Sequence, residues 1–146
     1  KADSQEKNKI VGFYLKNTKN INNWDLVDLS AHKILGDYLF ERDKSIIYRL
    51  AKSGNIWQRR ISILTTFYFI AKGEFRDSLK IAEILMNDKH DLIHKAVGWM
   101  LREIGKRNGQ IAVEFLNKYY KIMPRTMLRY AIEKFAESKR KYFLAK

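Results

Sequence analysis

Three short stretches of this sequence hold residue types that can do chemistry. In "NNWDLVD", residues 22–28, Trp24 and Asp28 stand four apart, so a helix puts them on one face. A carboxylate there can take hydrogen bonds from a neighbouring helix or face a groove, and the pattern leaves both open. Asp25, in the first turn, needs no more explanation than the positive end of the helix dipole. In "NIWQRRISIL", residues 55–64, Arg60 falls in the apolar sector with Trp57, Ile61, Leu64 and Phe67, while Arg59 points to the polar side. A guanidinium among apolar neighbours must be paired, because its charge is not lost at ordinary pH. Its partner is a carboxylate from an adjacent helical unit or a phosphate. Arg59 reads as a solvated arginine or a plain phosphate contact. In "HKAVGWMLREIGK", residues 94–106, Trp99 lies about 110° from the centre of the apolar stripe. That ring either packs against the next unit or offers its face to a base or sugar.

Other constellations carry less. His32 follows Asp28 by one turn, but no nucleophile completes a relay. His90 and His94 share a helical face near Asp91 without making a full zinc ligand set, so a polar helix start is the plainer reading. There is no Gly-rich phosphate loop, no HExxH and no GxSxG. The chain has no cysteine, which excludes a disulfide framework and thiolate metal sites.

The elements that must position these residues are helical. Only one proline occurs in 146 residues, and no alternating stretch is bounded by hairpin turns. Periodicity predicts helices near 5–17, 23–39, 44–52, 55–72, 75–87, 91–107, 109–121, 124–136 and 137–144. The breaks between them are short and polar, which forces neighbours to pack as antiparallel pairs. Three long helices open at "NNWDLVDLSAHKIL", "GNIWQRRISILTTF" and "HDLIHKAVGWMLRE", each followed by a shorter amphipathic one. A period of about 30–40 residues is the signature of a stacked helical array. The expected fold is all-α, a HEAT-like or armadillo-like superhelix of antiparallel helix pairs, in one domain over 1–146.

Lys plus Arg total 29 against 16 acids, a formal charge of +13. That asymmetry points to a polyanion, most simply nucleic acid. A membrane surface is the lesser alternative, since no basic amphipathic helix with exposed apolar residues stands out. No apolar run is long enough to span a bilayer, and "KADSQEKNK" lacks the core of a signal peptide. A cytoplasmic monomer is expected.

Taken in order, "NNWDLVD", "NIWQRRISIL" and "HKAVGWMLREIGK" resemble the DNA alkylation repair glycosylases of the AlkD type, which are built from HEAT-like repeats. The likeness runs from about residue 20 through "PRTMLRYAIEKF". The resemblance implies that Asp28 is the catalytic acid. It also implies that Trp24, Trp99 and Arg60 line the DNA-facing cleft, with Arg59 a neighbour of no matching role. It further implies hydrolysis of the N-glycosidic bond of cationic N3- or N7-alkylated purines in duplex DNA, with no metal or organic cofactor. Members of that family carry further repeats before the W-D-x-V-D element. Residues 1–20 are therefore read as a remnant, of either a shortened member or a C-terminal portion. The alternative is a non-catalytic helical module that binds nucleic acid or an acidic protein.

Overall fold

The computed structural model describes residues 4–18 and 24–145, apart from the side chains of residues 4, 24–26 and 29. Every regular element among these residues is helical: α1 (Ser4–Lys16), α2 (Trp24–Ala31), a π-helical turn (His32–Gly36), α3 (Asp37–Leu39), α4 (Ser45–Ala51) and α5 (Ile56–Ala71). Then come α6 (Arg76–Leu85), α7 (Asp91–Arg107), α8 (Gly109–Tyr119), α9 (Arg125–Ile132) and α10 (Glu137–Leu144). The helix expected over 23–39 is one continuous run, α2 to α3, interrupted by the π turn. Helical backbone angles at Ala31 and Asp37 carry it through both junctions.

Local chemistry sets the starts. Asn55 caps α5, its side-chain oxygen accepting from Trp57 N at 2.8 Å and Gln58 N at 3.2 Å. Asn108 does the same for α8 through Ile111 N. At α7 the cap is His90, whose Nδ1 accepts from Leu92 N at 3.2 Å. His94 bonds the Asp88 carbonyl through Nε2. The two histidines weighed as metal ligands are thus engaged in closing a helix end. Gly73, at φ 84, makes the tight exit from α5 that a side chain would strain.

The helices α2, α5, α7 and α9 pack against one another in succession. Of the intervening shorter helices, α4 and α6 lie against α5, and α8 against α7. Their shared core runs through Val27, Leu35, Ile61, Leu64, Ile93, Val97, Met100, Met127 and Leu128, all at most 2 % exposed.

Two glycines set how closely this row can approach. A Cβ on Gly36 would sit 2.4 Å from Tyr68 Cβ and 2.9 Å from the Thr65 carbonyl. One on Gly98 would sit 2.5 Å from Tyr130 Cβ and 2.6 Å from the Met127 carbonyl. Neither contact yields cheaply, since both involve backbone. Gly98→Ala should therefore cost about 1–3 kcal/mol of stability through overpacking. Gly12→Ala, which meets nothing within 4 Å on helix α1, should instead gain about 0.5–1 kcal/mol. Denaturant midpoints of the two variants check the contrast.

Glu103, on α7, is 7 % exposed. Burial opposes its ionisation, but hydrogen bonds from Lys106 and Arg107 at 3.0 and 3.1 Å outweigh that and hold its carboxyl below the ordinary value. A carboxyl depressed in the folded state stabilises above its unfolded pKa and loses that contribution as pH falls through the folded one. Acid melts should show wild type losing stability more steeply than Glu103→Gln does as pH falls from the ordinary carboxyl value through the lowered one.

Candidate nucleic-acid interface and active site

Arg60 sits one turn into α5, where the Asn55 cap fixes the helix start. It is 5 % exposed, and its charge is met entirely from other helices. Nε donates to Asp28 Oδ1 at 2.9 Å and Nη2 to Asp28 Oδ2 at 3.0 Å, a bidentate fork. Nη1 donates to the Leu92 carbonyl of α7. Three of the five guanidinium N–H groups are thus committed inside the protein. The partner that an arginine among apolar residues requires is the Asp28 carboxylate. Beside Asp28, the fully buried Val27 seats α2 in the core. About 18 % of the Asp28 side chain stays exposed.

Arg60 also forms part of an open cleft of about 370 Å³, together with Leu92, Lys95, Trp99, Arg102 and Tyr130. Lys95, Trp99 and Arg102 recur at one-turn intervals on α7, and Tyr130 comes across from α9. The Gly98 contact is what brings the Tyr130 side chain against α7. Trp99 is half-buried, tilted against Phe67 with centroids 5.9 Å apart. Phe67 in turn takes the His32 ring edge-on at 5.1 Å. An aromatic row therefore crosses three successive helices and ends in the cleft. Burial, with Lys33 adding to it, pushes His32 below its usual value, so it stays neutral at physiological pH. No hydrogen bond joins His32 to Asp28, whose partner among the described residues is Arg60.

The other two cleft cations bring their own acids. Lys95 lies 3.1 Å from Asp91, and that bond raises the lysine and lowers the carboxyl, which Thr126 also contacts. Arg102 pairs with Glu133 just beyond α9, while its Nε is buried without a partner among the described residues. The cleft offers three cations and two aromatic rings, while Asp28 is not part of its lining and adjoins it through Arg60. Such a set suits an anionic backbone carrying a flat, positively charged group.

The sequence profile of the DNA alkylation repair enzyme family matches residues 1–135. The chain belongs to that family. No curated relative matches the sequence. Of the positions that the family likeness singles out, Asp28 and Arg60 are bonded to each other, and Arg60 and Trp99 share the cleft. The side chain of Trp24 lies outside the described residues. Arg59 goes elsewhere: its Nε donates to Asp88 at 2.7 Å and its Nη1 to the Ser53 carbonyl at 3.1 Å, away from the cleft lining. It is a tie between two interhelical loops rather than a solvated arginine. Lys95, Arg102 and Tyr130 escape a motif reading. The spacing of Lys95 and Arg102 about Trp99 was a usable signal, whereas nothing in the sequence points Tyr130 at Gly98.

Replacing Asp28 leaves a nearly buried guanidinium short of an acceptor. Asp28→Asn should cost between the ~1 kcal/mol of an exposed pair and the ~3–5 kcal/mol of a fully buried one. Adding Arg60→Met should recover most of that loss, because removing the guanidinium removes the stranded charge. Thermal melts of the single and double variants read this directly.

Proposed function

We propose that the chain is a DNA glycosylase acting on N3- or N7-alkylated purines in duplex DNA, built on a HEAT-like stack of antiparallel helix pairs in one domain. Family membership supports the repair role. The single observation that carries the chemistry is a carboxylate, Asp28, held in fixed orientation beside a cleft that presents Trp99 and three cations.

Alkylation at a ring nitrogen makes the purine cationic and a ready leaving group, so no strong general acid is needed. What remains is positive charge developing on the deoxyribose as the C–N bond breaks. An oriented carboxylate stabilises that charge and positions a water for attack on the sugar carbon. The Arg60 fork determines which way the Asp28 oxygens point and prevents them from rotating away. Trp99, and Trp24 by its place one turn before Asp28, would meet the sugar edge or the cationic base, a contact worth roughly 0.5–2 kcal/mol. The +13 charge supplies affinity for the backbone that does not depend on sequence. Working on DNA would place the protein inside the cell. The chemistry needs neither a metal nor an organic cofactor, and nothing in it requires a second subunit.

One observation favours the rival reading, a non-catalytic module. Both Asp28 oxygens are engaged by Arg60, as in a purely structural pair. Release of 7-methylguanine from methylated duplex DNA separates the two. Wild type should release base, and Asp28→Asn should bind duplex but release at least about a hundredfold more slowly. Asp28→Asn with Arg60→Met should regain stability without regaining release. If release returns with stability, Asp28 is only a structural partner and its catalytic role fails; if wild type releases no base, the glycosylase assignment fails.

A further inference from the structure

The cations of the cleft are of two kinds. Arg60 is locked, with three N–H groups bonded inside the protein. Lys95 and Arg102 are held only by acids at the rim. Asp91 is 57 % exposed and Glu133 52 % exposed, and each makes a single ion pair with its cation. Pairs of this exposure contribute little to stability, so exchanging the carboxylate for another anion costs little.

The spacing is also telling. Lys95 and Arg102 are seven residues apart on α7, about 10 Å along the helix axis. One DNA strand advances about 3.4 Å per nucleotide, so two such cations span about three steps. Trp99 lies between them on the same cleft wall.

We propose that Lys95 and Arg102 grip two backbone phosphates on either side of the nucleotide that meets Trp99. Asp91 and Glu133 are then the built-in counter-ions that the duplex displaces. Each phosphate takes the place of a carboxylate, so neither cation is left unpaired at any stage. The two acids weaken binding to DNA in general while keeping the empty cleft neutral. The proposal rests on the duplex-binding half of the reading above and is independent of base release.

The test is fluorescence anisotropy with an unmethylated duplex across a salt series, with melting temperatures to confirm folding. A chain unable to release any base therefore still decides the matter. Lys95→Gln should weaken binding and lower the slope of log K against log salt by about one. Asp91→Asn and Glu133→Gln should each tighten binding about two- to five-fold. Glu137→Gln is the control. It breaks the exposed Glu137–Lys141 pair on α10, outside the cleft, and changes net charge by the same amount. An unchanged salt slope in Lys95→Gln overturns the proposal, as does tightening in Glu137→Gln equal to that in Glu133→Gln. No measurable duplex binding by wild type overturns it as well.

Discussion

A guanidinium that is 5 % exposed has to find acceptors wherever the chain can supply them, and in this fold they come from two other helices. Asp28 on α2 supplies two and the Leu92 carbonyl on α7 supplies one, so Arg60 on α5 joins three consecutive members of the packed row. Withdrawing any one acceptor strands a charge that cannot be neutralised. The relative placement of α2, α5 and α7 at this level is therefore held by electrostatic necessity as well as apolar burial. The same bonds fix the orientation of the Asp28 carboxylate next to Arg60, which lines the cleft. In the proposed glycosylase, stability and reactivity would share one set of contacts, which is why a substitution at Asp28 has to be judged with its effect on Arg60.

Close approach of the helices does the rest of the positioning. Gly36 lets the π turn press against Thr65 and Tyr68, and Gly98 lets α7 press against Met127 and Tyr130. With the backbones this near, side chains on facing turns meet ring to ring, as His32, Phe67 and Trp99 do. Trp99 is packed on one side and open on the other. Its tilted contact with Phe67 seats the ring, which also lines the cleft. The structure shows the packing of this off-stripe tryptophan, on Phe67; its contact with a base or sugar belongs to the proposal.

The charge of the chain is large, but the cleft is not a bare basic surface. Each of its three cations is paired with an acid: Asp28, Asp91 or Glu133. The pairings differ in burial, and burial decides how tightly each is held. The Asp28 pair is nearly dry and fixed, whereas the acids of the other two stand more than half in water. A net excess of lysine and arginine therefore says that a polyanion is attracted, while the local pairings say which cations it can reach.

Much of the helical framework was legible in the sequence because it is written in local terms. Apolar spacing and short polar breaks placed the nine expected helical stretches within a few residues of those observed. The need of Arg60 for a partner followed from its position in an apolar sector. Which carboxylate would answer it did not, since Asp28 and Arg60 are 32 residues apart. Periodicity gave no warning of the π turn, whose glycine matters only because of what lies across from it. Arg59 and Arg60 are neighbours in the chain, yet one reaches Asp88 and the other Asp28, because a step of 100° on a helix sends them to different partners. Lys95, Arg102 and Tyr130 became one site only when α7 and α9 closed on Gly98. The order of residues determines each helix and the face it turns inward. Which faces meet, and so which acid holds which cation, is decided by the packing of helices far apart in the chain.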